Sequence, residues 1–241
     1  MTRRNFISTT MMAVIGSSMS APIRSNVGGF HGINFASQDE GIVEIEYLES
    51  NGKQWIDTGI YGNDMLECQL EICPLETGSD KPIMCVDGGS SFNNAFSFMI
   101  QSKYFRGIMQ SVYRDSYGDS IAYLFPQVGQ WYTVKISSMG IWCDANNHLY
   151  RFSSNVPTYA TAYTIPLFAW KRNNKIIVKG KLRVASVKMY ENGILLRDFV
   201  PIRFKSRRWQ MEGAMLDKVS SELFLNEGTE NFILGPDVGE Q

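Results

Sequence analysis

The sequence predicts an all-β protein built from many short strands, as in a sandwich or barrel. Residues 66–72 alternate strictly between apolar and polar side chains, which is typical of a strand with one buried face. Asn51-Gly52 and Asn192-Gly193 each separate two runs of strand-forming residues, and Asn-Gly favours the two-residue hairpin turn. No stretch shows the apolar period of an amphipathic helix longer than two turns.

The longest predicted element is a hairpin over residues 181–201, turning at Asn192-Gly193. Strict alternation would place Arg183 and Val187 on one face of its first strand, and Val184 and Lys188 on the other. Two long apolar strands need further strands around them to bury their surface.

Further strands are expected throughout the remaining chain, separated by Gly-, Asn- and Asp-containing turns. The predicted ranges are 43–47, 54–58, 65–73, 82–86, 95–101, 104–109, 121–125, 131–137, 141–144, 149–152 and 165–170. With no internal repeat and no second linker, residues 41–241 are predicted to form one domain.

Residues 1–20 have the order of an export signal: Arg3-Arg4, then the apolar run 11–15, then small residues before Ala21. The arginine pair followed by Asn5-Phe6-Ile7 resembles the twin-arginine motif. The apolar run is too short to span about 30 Å of hydrocarbon, so we expect no transmembrane segment in the mature chain. Residues 21–40 are predicted to be a flexible linker, and the protein to be secreted, periplasmic or at the cell surface.

The composition is that of a globular protein. The chain has 241 residues, 44% of them hydrophobic and 20% charged, with a formal net charge of −1. This charge gives no general attraction to nucleic acid, and we expect no nucleic-acid partner.

Three segments resemble one family of domains. Tyr47–Gly59 reads Y-L-E-S-N-G-K-Q-W-I-D-T-G, Val187–Arg203 reads V-K-M-Y-E-N-G-I-L-L-R-D-F-V-P-I-R, and Gly213–Pro236 ends in F-I-L-G-P. They resemble, in order and spacing, the laminin-G-like, concanavalin A-like lectin-glucanase domains of secreted gut-bacterial proteins and phage structural proteins. Met215-Leu216 and the K-S-R-R-W-Q string at 205–210 depart from the family pattern.

This resemblance implies a concanavalin A-like jelly-roll β-sandwich of two antiparallel sheets. It also implies that the first and last strand regions are neighbours, with Asp57-Thr58-Gly59 and Leu234-Gly235-Pro236 as edge turns. Related domains often bind Ca²⁺ through loop aspartates, so a calcium site is an open alternative here; the candidate ligands near predicted turns are Asp87, Asp115, Asp119 and Asp144.

The sequence offers little for catalysis, and we expect no enzymatic activity. Glycosidases of this fold carry an E-x-D-x-x-E string, which is absent. The pairs Glu44/Glu46 and Glu67/Glu71 are interpreted as solvated strand residues. There is no G-x-S-x-G string, no C-x-x-C and only two histidines, so no nucleophile or metal site is assigned.

The four cysteines are compatible with disulfides after export or with buried free thiols. The positions of Cys68 and Cys73 differ by an odd number, so in one straight strand they should face opposite sides and should not pair with each other. The cysteines are Cys68, Cys73, Cys85 and Cys143.

Two groups of side chains are candidate binding residues. Aromatic rings can stack on sugars, and the candidates are Trp131, Trp142, Trp170 and Tyr104, although aromatics are also ordinary core residues. Residues 171–208 contain twelve Lys or Arg but only two carboxylates. This stretch could bind an anionic polymer through Arg183, Lys188, Arg197, Arg203, Arg207 and Arg208, or could simply form solvated strand faces.

The sequence therefore favours a secreted, non-catalytic carbohydrate-binding or adhesion-type domain with a glycan or anionic cell-surface partner. One alternative is a structural or assembly protein of a cell-surface complex or phage virion. Another is a divergent glycosidase or lyase that acts on polysaccharides.

Overall fold

The structure is a computed structural model that describes residues 41–88, 94–101, 104–112, 116–122, 125–152, 155–156, 158–206 and 210–239, with backbone alone at 111–112 and 116–122. The predicted signal 1–20 and linker 21–40 lie outside these residues. The described residues form 19 strands in two sheets and no helix. Accordingly, the described part of the chain contains no helix long and apolar enough to cross a membrane.

The first sheet has eleven described strands and follows the order β11-β10-β9-β4-β15-β16-β17-β18, with β2 beside β15, β19 beside β2, and β1 beside β16. Its strands are β1 (Val43–Glu44), β2 (Leu48–Asn51), β4 (Leu66–Pro74), β9 (Tyr132–Ser137), β10 (Gly140–Cys143), β11 (His148–Arg151), β15 (Lys181–Glu191), β16 (Ile194–Lys205), β17 (Met211–Asp217), β18 (Glu222–Phe224) and β19 (Ile233–Leu234).

The second sheet has eight described strands in the order β14-β13-β5-β6-β7-β8, and β12 joins β3 to β5. Its strands are β3 (Ile56–Asn63), β5 (Lys81–Asp87), β6 (Ala95–Gln101), β7 (Tyr104–Val112), β8 (Ser116–Ala122), β12 (Ala160–Leu167), β13 (Ala169–Arg172) and β14 (Lys175–Lys179). The pairs are antiparallel except for β13 with β5, which run parallel.

The chain crosses repeatedly between the sheets, and their inner faces share one core. Leu70 and Val134 of the first sheet pack in the same buried cluster as Phe96 and Phe98 of the second. The two sheets pack closely at Gly107 of β7 and Ile136 of β9. A Cβ added to Gly107 would lie only 2.8 Å from Cδ1 of Ile136. The predicted all-β jelly-roll sandwich of two essentially antiparallel sheets is therefore confirmed.

The predicted long hairpin is also present, as β15 and β16. Asn192 and Gly193 have φ of 51° and 76°, the left-handed values that a type I′ turn requires. The predicted faces of β15 were wrong, because a register shift between Val184 and Ser186 adds one residue to the strand. Beyond this bulge the alternation is inverted, so Val184 and Val187 both enter the core, and Arg183 and Lys188 share the outer face.

Several elements differ from the local predictions. The strand predicted over 165–170 is two strands, because Phe168 adopts φ of 68° and redirects the chain between β12 and β13. Strands β2, β14, β17, β18 and β19 lie outside the predicted ranges, and the strand predicted over 121–125 runs instead over Ser116–Ala122.

The two ends of the domain close against each other, as the resemblance implied. Strand β19 pairs with β2, and Ile45 bridges to Asp237. Asp57-Thr58-Gly59, however, lies inside strand β3 instead of forming an edge turn. Gly59 has φ of 70° there, a backbone conformation that favours glycine.

Candidate functional site

The outer face of the first sheet carries a shallow depression of about 250 Å³. It lies over four adjacent strands, β11, β10, β9 and β4, near the hairpin turn that joins β9 to β10. Its lining residues are Glu67, Lys135, Ser137, Met139, Gly140, Trp142 and Leu149.

Sheet register explains why these side chains meet. Trp142 is directly opposite Leu149 on β11 and Lys135 on β9, and Lys135 is opposite Gln69 on β4. Directly opposite residues project to the same face, so the row crosses four strands on one side of the sheet. The inward neighbours Ile136, Ile141 and Cys143 are buried in the core, which fixes the outward direction of the row.

The next row along the same face adds a second aromatic residue. Glu67 on β4 is opposite Tyr190 on β15. We call the lining of the depression together with Gln69 and Tyr190 the Trp142 surface.

The polar groups of the Trp142 surface are largely uncommitted. Within the described part of the chain, the side chains of Glu67, Gln69 and Tyr190 make no side-chain hydrogen bond or ion pair. The Lys135 ammonium lies 5.5 Å from the centre of the Trp142 ring, a cation–π distance worth roughly 0.5–1 kcal/mol near the surface. The surface thus offers one half-buried indole beside a carboxylate, an amide, an amine and a phenol.

A second aromatic group lies further along the same face. The rings of Trp131 and Tyr47 are 5.9 Å apart, and the guanidinium of Arg183 lies 4.7 Å from the Tyr47 ring. Arg183 Nε donates to Glu49 Oε2 at 2.6 Å, a bond that raises the pKa of Arg183. We call these four residues, Tyr47, Glu49, Trp131 and Arg183, the Trp131 corner.

The four predicted stacking residues therefore divide between the two sheets. Trp131 and Trp142 share the outer face of the first sheet. Trp170 lies on the second sheet, is 6% exposed, and donates from Nε1 to Asp87 Oδ2 at 2.6 Å. Tyr104, also on the second sheet, packs against Phe125 with the ring centres 5.1 Å apart.

The basic residues predicted as an anion-binding patch each have a carboxylate partner where they are described. The nitrogen–oxygen distances are 2.6 Å for Arg183–Glu49, 3.6 Å for Lys188–Asp198, 3.5 Å for Arg197–Asp217 and 2.5 Å for Arg203–Asp237. Arg207 and Arg208 lie outside the described residues. Three of these carboxylates, Glu49, Asp217 and Asp237, lie outside residues 171–208, so the structure offsets part of the positive charge read from that stretch.

Arg197 has an additional structural role. Its Nε donates to the Thr58 carbonyl at 3.2 Å, and its guanidinium lies 5.3 Å from the Phe224 ring. Its partner Asp217 is fully buried and also accepts the Asp198 amide at 2.9 Å. These contacts commit Arg197 to holding strands together.

The aspartates considered for calcium are dispersed. Asp87 is fully buried and accepts from Trp170 and Arg172. Asp144 is exposed and accepts from Cys143 Sγ at 3.7 Å. Asp115 and the side chain of Asp119 lie outside the described residues. In the described ranges, no three His, Cys, Asp or Glu side chains are grouped closely enough to hold a metal ion.

All four cysteines are buried free thiols. Cys68 and Cys143 lie in the main core, whereas Cys85 packs with Met99 and Trp170 on the outer side of the second sheet. Burial raises the pKa of Cys85 to about 12 and that of Cys143 to about 11, so these thiols stay neutral and unreactive near pH 7.

Comparison with known proteins gives a limited result. No family model matches the sequence, and no curated protein matches it. Among solved structures, the chain is similar to the native heptameric SAP-like pentraxin of Limulus polyphemus, with 10% sequence identity and a TM-score of 0.41. That match covers 83% of this chain and 91% of the pentraxin chain.

Sequence reasoning did not select Glu67, Gln69, Lys135 or Tyr190 as site residues. The alternation in 66–72 and 131–137 does predict that Glu67, Gln69 and Lys135 point outward. The alternation does not show which strands pair. The pairing of β9 with β4 and of β4 with β15 brings these residues next to Trp142.

Proposed function

We propose that this protein is a non-catalytic carbohydrate-binding β-sandwich and that the Trp142 surface is its binding site. The observation that carries this proposal is the half-buried indole of Trp142 surrounded by uncommitted polar side chains from adjacent strands. An aromatic ring offers its face to the C–H groups of a sugar, while the polar groups exchange hydrogen bonds with its hydroxyls. Strands also hold these side chains more rigidly than loops would.

The carboxylate count supports the non-catalytic part of the proposal. Glycoside hydrolysis uses two carboxyl groups separated by about 5–9.5 Å across the scissile bond. Glu67 is the sole carboxylate among the described residues that line the depression. Glu71 is four residues along the same strand, and strand geometry places its Cα about 13 Å from that of Glu67.

Binding can be tested on a glycan array, with and without calcium, followed by titration of the best ligand. Trp142→Ala should weaken binding at least tenfold, which corresponds to about 1.4 kcal/mol and is a typical loss for a stacked aromatic. Tyr61→Ala is the matched control, because Tyr61 is 50% exposed and lies on the second sheet. Both variants should keep the wild-type unfolding midpoint within a few degrees.

Three results would contradict the proposal. A folded sample that binds no glycan would refute it, as would Trp142→Ala with wild-type affinity. Turnover of a polysaccharide that disappears in Glu67→Gln would show that the site is catalytic.

A structural or assembly role is a second candidate, favoured by exposed apolar residues at one end of the first sheet. Met65 lies in the turn from β3 to β4, Met139 lies in the turn from β9 to β10, and Ile194 begins β16 directly after its hairpin turn; they are 54%, 56% and 67% exposed. The Asn192 amide donates to the Met65 carbonyl at 3.4 Å, so two of these turns are in contact. Self-association that Met65→Ser and Ile194→Ser together abolish, in a protein with no glycan affinity, would favour this role.

We also propose that residues 1–20 direct export and are removed before Ala21, as the arginine pair and small residues suggest. The mass of the protein recovered from the periplasm or medium tests this directly. A chain beginning at Ala21 is expected, and a recovered chain beginning at Met1 would refute cleavage.

A further inference from the structure

We infer that the ligand is a neutral polysaccharide whose extended chain runs along the outer face of the first sheet from Trp142 to Trp131. This inference rests on the proposed function and specifies the length and charge of its ligand. It is an alternative to the anionic partner that the basic residues of 171–208 suggested.

The two tryptophans are placed on one face by strand alternation. Tyr132, Val134 and Ile136 of β9 enter the core, so Trp131 and Lys135 point outward. Trp131 precedes Lys135 by four residues, about 13 Å along the strand, and Trp142 is one strand spacing of about 4.8 Å beyond Lys135. The two indoles are therefore attached about 14 Å apart. One sugar ring is too small to stack on both, whereas several linked sugars can reach from one to the other.

The Trp131 corner is built to hold its indole in place. Trp131 is 38% exposed and packs on Tyr47, which in turn lies under the guanidinium of Arg183. The Arg183–Glu49 ion pair fixes that guanidinium. An indole that is already ordered loses little side-chain entropy when a ligand stacks on it, so its full contact area contributes to affinity.

The face between the two indoles is polar. Thr133 lies opposite Glu71, and Lys135 lies opposite Gln69. The side chains of Thr133 and Gln69 make no hydrogen bond to another side chain in the described residues. A glycan passing over them would find hydrogen-bonding groups along its whole length between the two stacking positions.

The charges on this face argue for a neutral ligand. Arg183 and Lys188, the nearest basic residues on β15, are paired with Glu49 and Asp198. The other charged residues described on this face near Trp142 balance in sign: Lys135 and Arg151, which is opposite Gly140, are cationic, and Glu67 and Glu71 are anionic. Sulfate or uronate groups would gain little net attraction here and would meet the Glu67 carboxylate, whereas hydroxyl groups can donate to Glu67 and accept from Lys135.

The test is calorimetric titration with neutral oligosaccharides of the best-binding linkage, from monosaccharide to hexasaccharide, and with a sulfated and a uronate polymer. Affinity for the neutral series should rise at least tenfold between disaccharide and hexasaccharide. It should change less than twofold between low and high salt, because no phosphate-like or carboxylate charge is being neutralised. Trp131→Ala should remove the gain of affinity with chain length, and Trp131→Phe should restore most of that gain.

The results separate this inference from the proposed function. If Trp142→Ala abolishes binding but Trp131→Ala leaves the length dependence intact, the carbohydrate site stands and the extended chain is refuted. If the sulfated or uronate polymer binds more tightly than the neutral series, with a strong salt dependence, the neutral ligand is refuted. If no glycan binds a folded sample, the proposed function itself fails.

Discussion

Replacing Lys171 with Met should destabilise the fold severely, because it leaves a buried carboxylate without its cation. The Lys171 ammonium donates to Asp57 Oδ2 at 2.5 Å and to Thr164 Oγ1 at 2.9 Å, and it lies 5.5 Å from the Trp55 ring centre. The side chains of Lys171 and Asp57 are 5% and 8% exposed. The pair links β13 to β3, which are not hydrogen-bonded neighbours in the sheet.

The expected loss of folding stability depends on the hydrogen bonds that Asp57 keeps when Lys171 is replaced. Breaking a buried ion pair from one side typically costs about 3–5 kcal/mol, because the remaining charge stays desolvated. In Lys171→Met, Asp57 would keep the Gly59 amide at 2.9 Å and the Thr164 hydroxyl at 2.7 Å. Since these two hydrogen bonds stabilise the carboxylate, we expect a loss near the lower limit, about 3 kcal/mol.

The double variant Lys171→Met/Asp57→Asn is the informative comparison. It removes both charges, and the carboxamide oxygen introduced by Asp57→Asn can still accept from the Gly59 amide, so the double variant should lose only about 1–1.5 kcal/mol. It should therefore be more stable than the single variant. Lys175→Met, at an exposed lysine of β14, should stay within about 0.5 kcal/mol of wild type.

Urea unfolding at pH 7, followed by tryptophan fluorescence, measures these free energies by linear extrapolation. A loss of stability below about 1 kcal/mol in Lys171→Met would show that Asp57 finds other stabilisation and that its buried charge does not need Lys171. A double variant as unstable as the single one would refute the reasoning that the unpaired carboxylate causes the loss.

Two further predictions concern the hairpin turn and the buried thiols. Gly193→Ala should cost about 1–2 kcal/mol and lower the thermal midpoint, because Gly193 has φ of 76° and alanine is strained there; an unchanged midpoint would argue against the type I′ turn. The pKa of Cys85 is raised from 9.0 to about 12, so the neutral thiol stabilises the fold fully below pH 9, and this contribution is lost as the pH rises from 9 to 12. Urea midpoints should fall over that range, and Cys85→Ala should flatten the decline; an equally steep decline in the variant would exclude this thiol as a cause.

Much of the architecture could be predicted from local sequence. Alternation in 66–72 matches the outer and inner faces of β4, and Asn192-Gly193 matches the observed turn of the long hairpin. These signals work because side-chain direction in a strand and positive φ in a turn depend on a few adjacent residues. The signals failed at Ala185 and Phe168, where a bulge and a left-handed residue interrupt the local pattern.

The binding residues could be predicted only in part. Trp142 was a candidate from its residue type, but so was Trp170, which the structure buries beside Asp87. When both faces of a sheet carry apolar residues, the neighbouring sequence does not show whether an aromatic residue in one of its strands is buried or exposed. The burial of Trp170 depends on Cys85 and Met99, which come from other strands.

The charge of residues 171–208 also could not be interpreted from local sequence alone. Local sequence predicted most of the strands, the alternation of β4 and the turn of the long hairpin. The tertiary structure brings Arg183 to Glu49, and it places Glu67 and Lys135 beside Trp142 with no ion pair to either among the described residues. The reason is physical: alternation and turn geometry are properties of neighbouring residues, whereas net surface charge and the composition of a site depend on which distant strands become hydrogen-bonded neighbours.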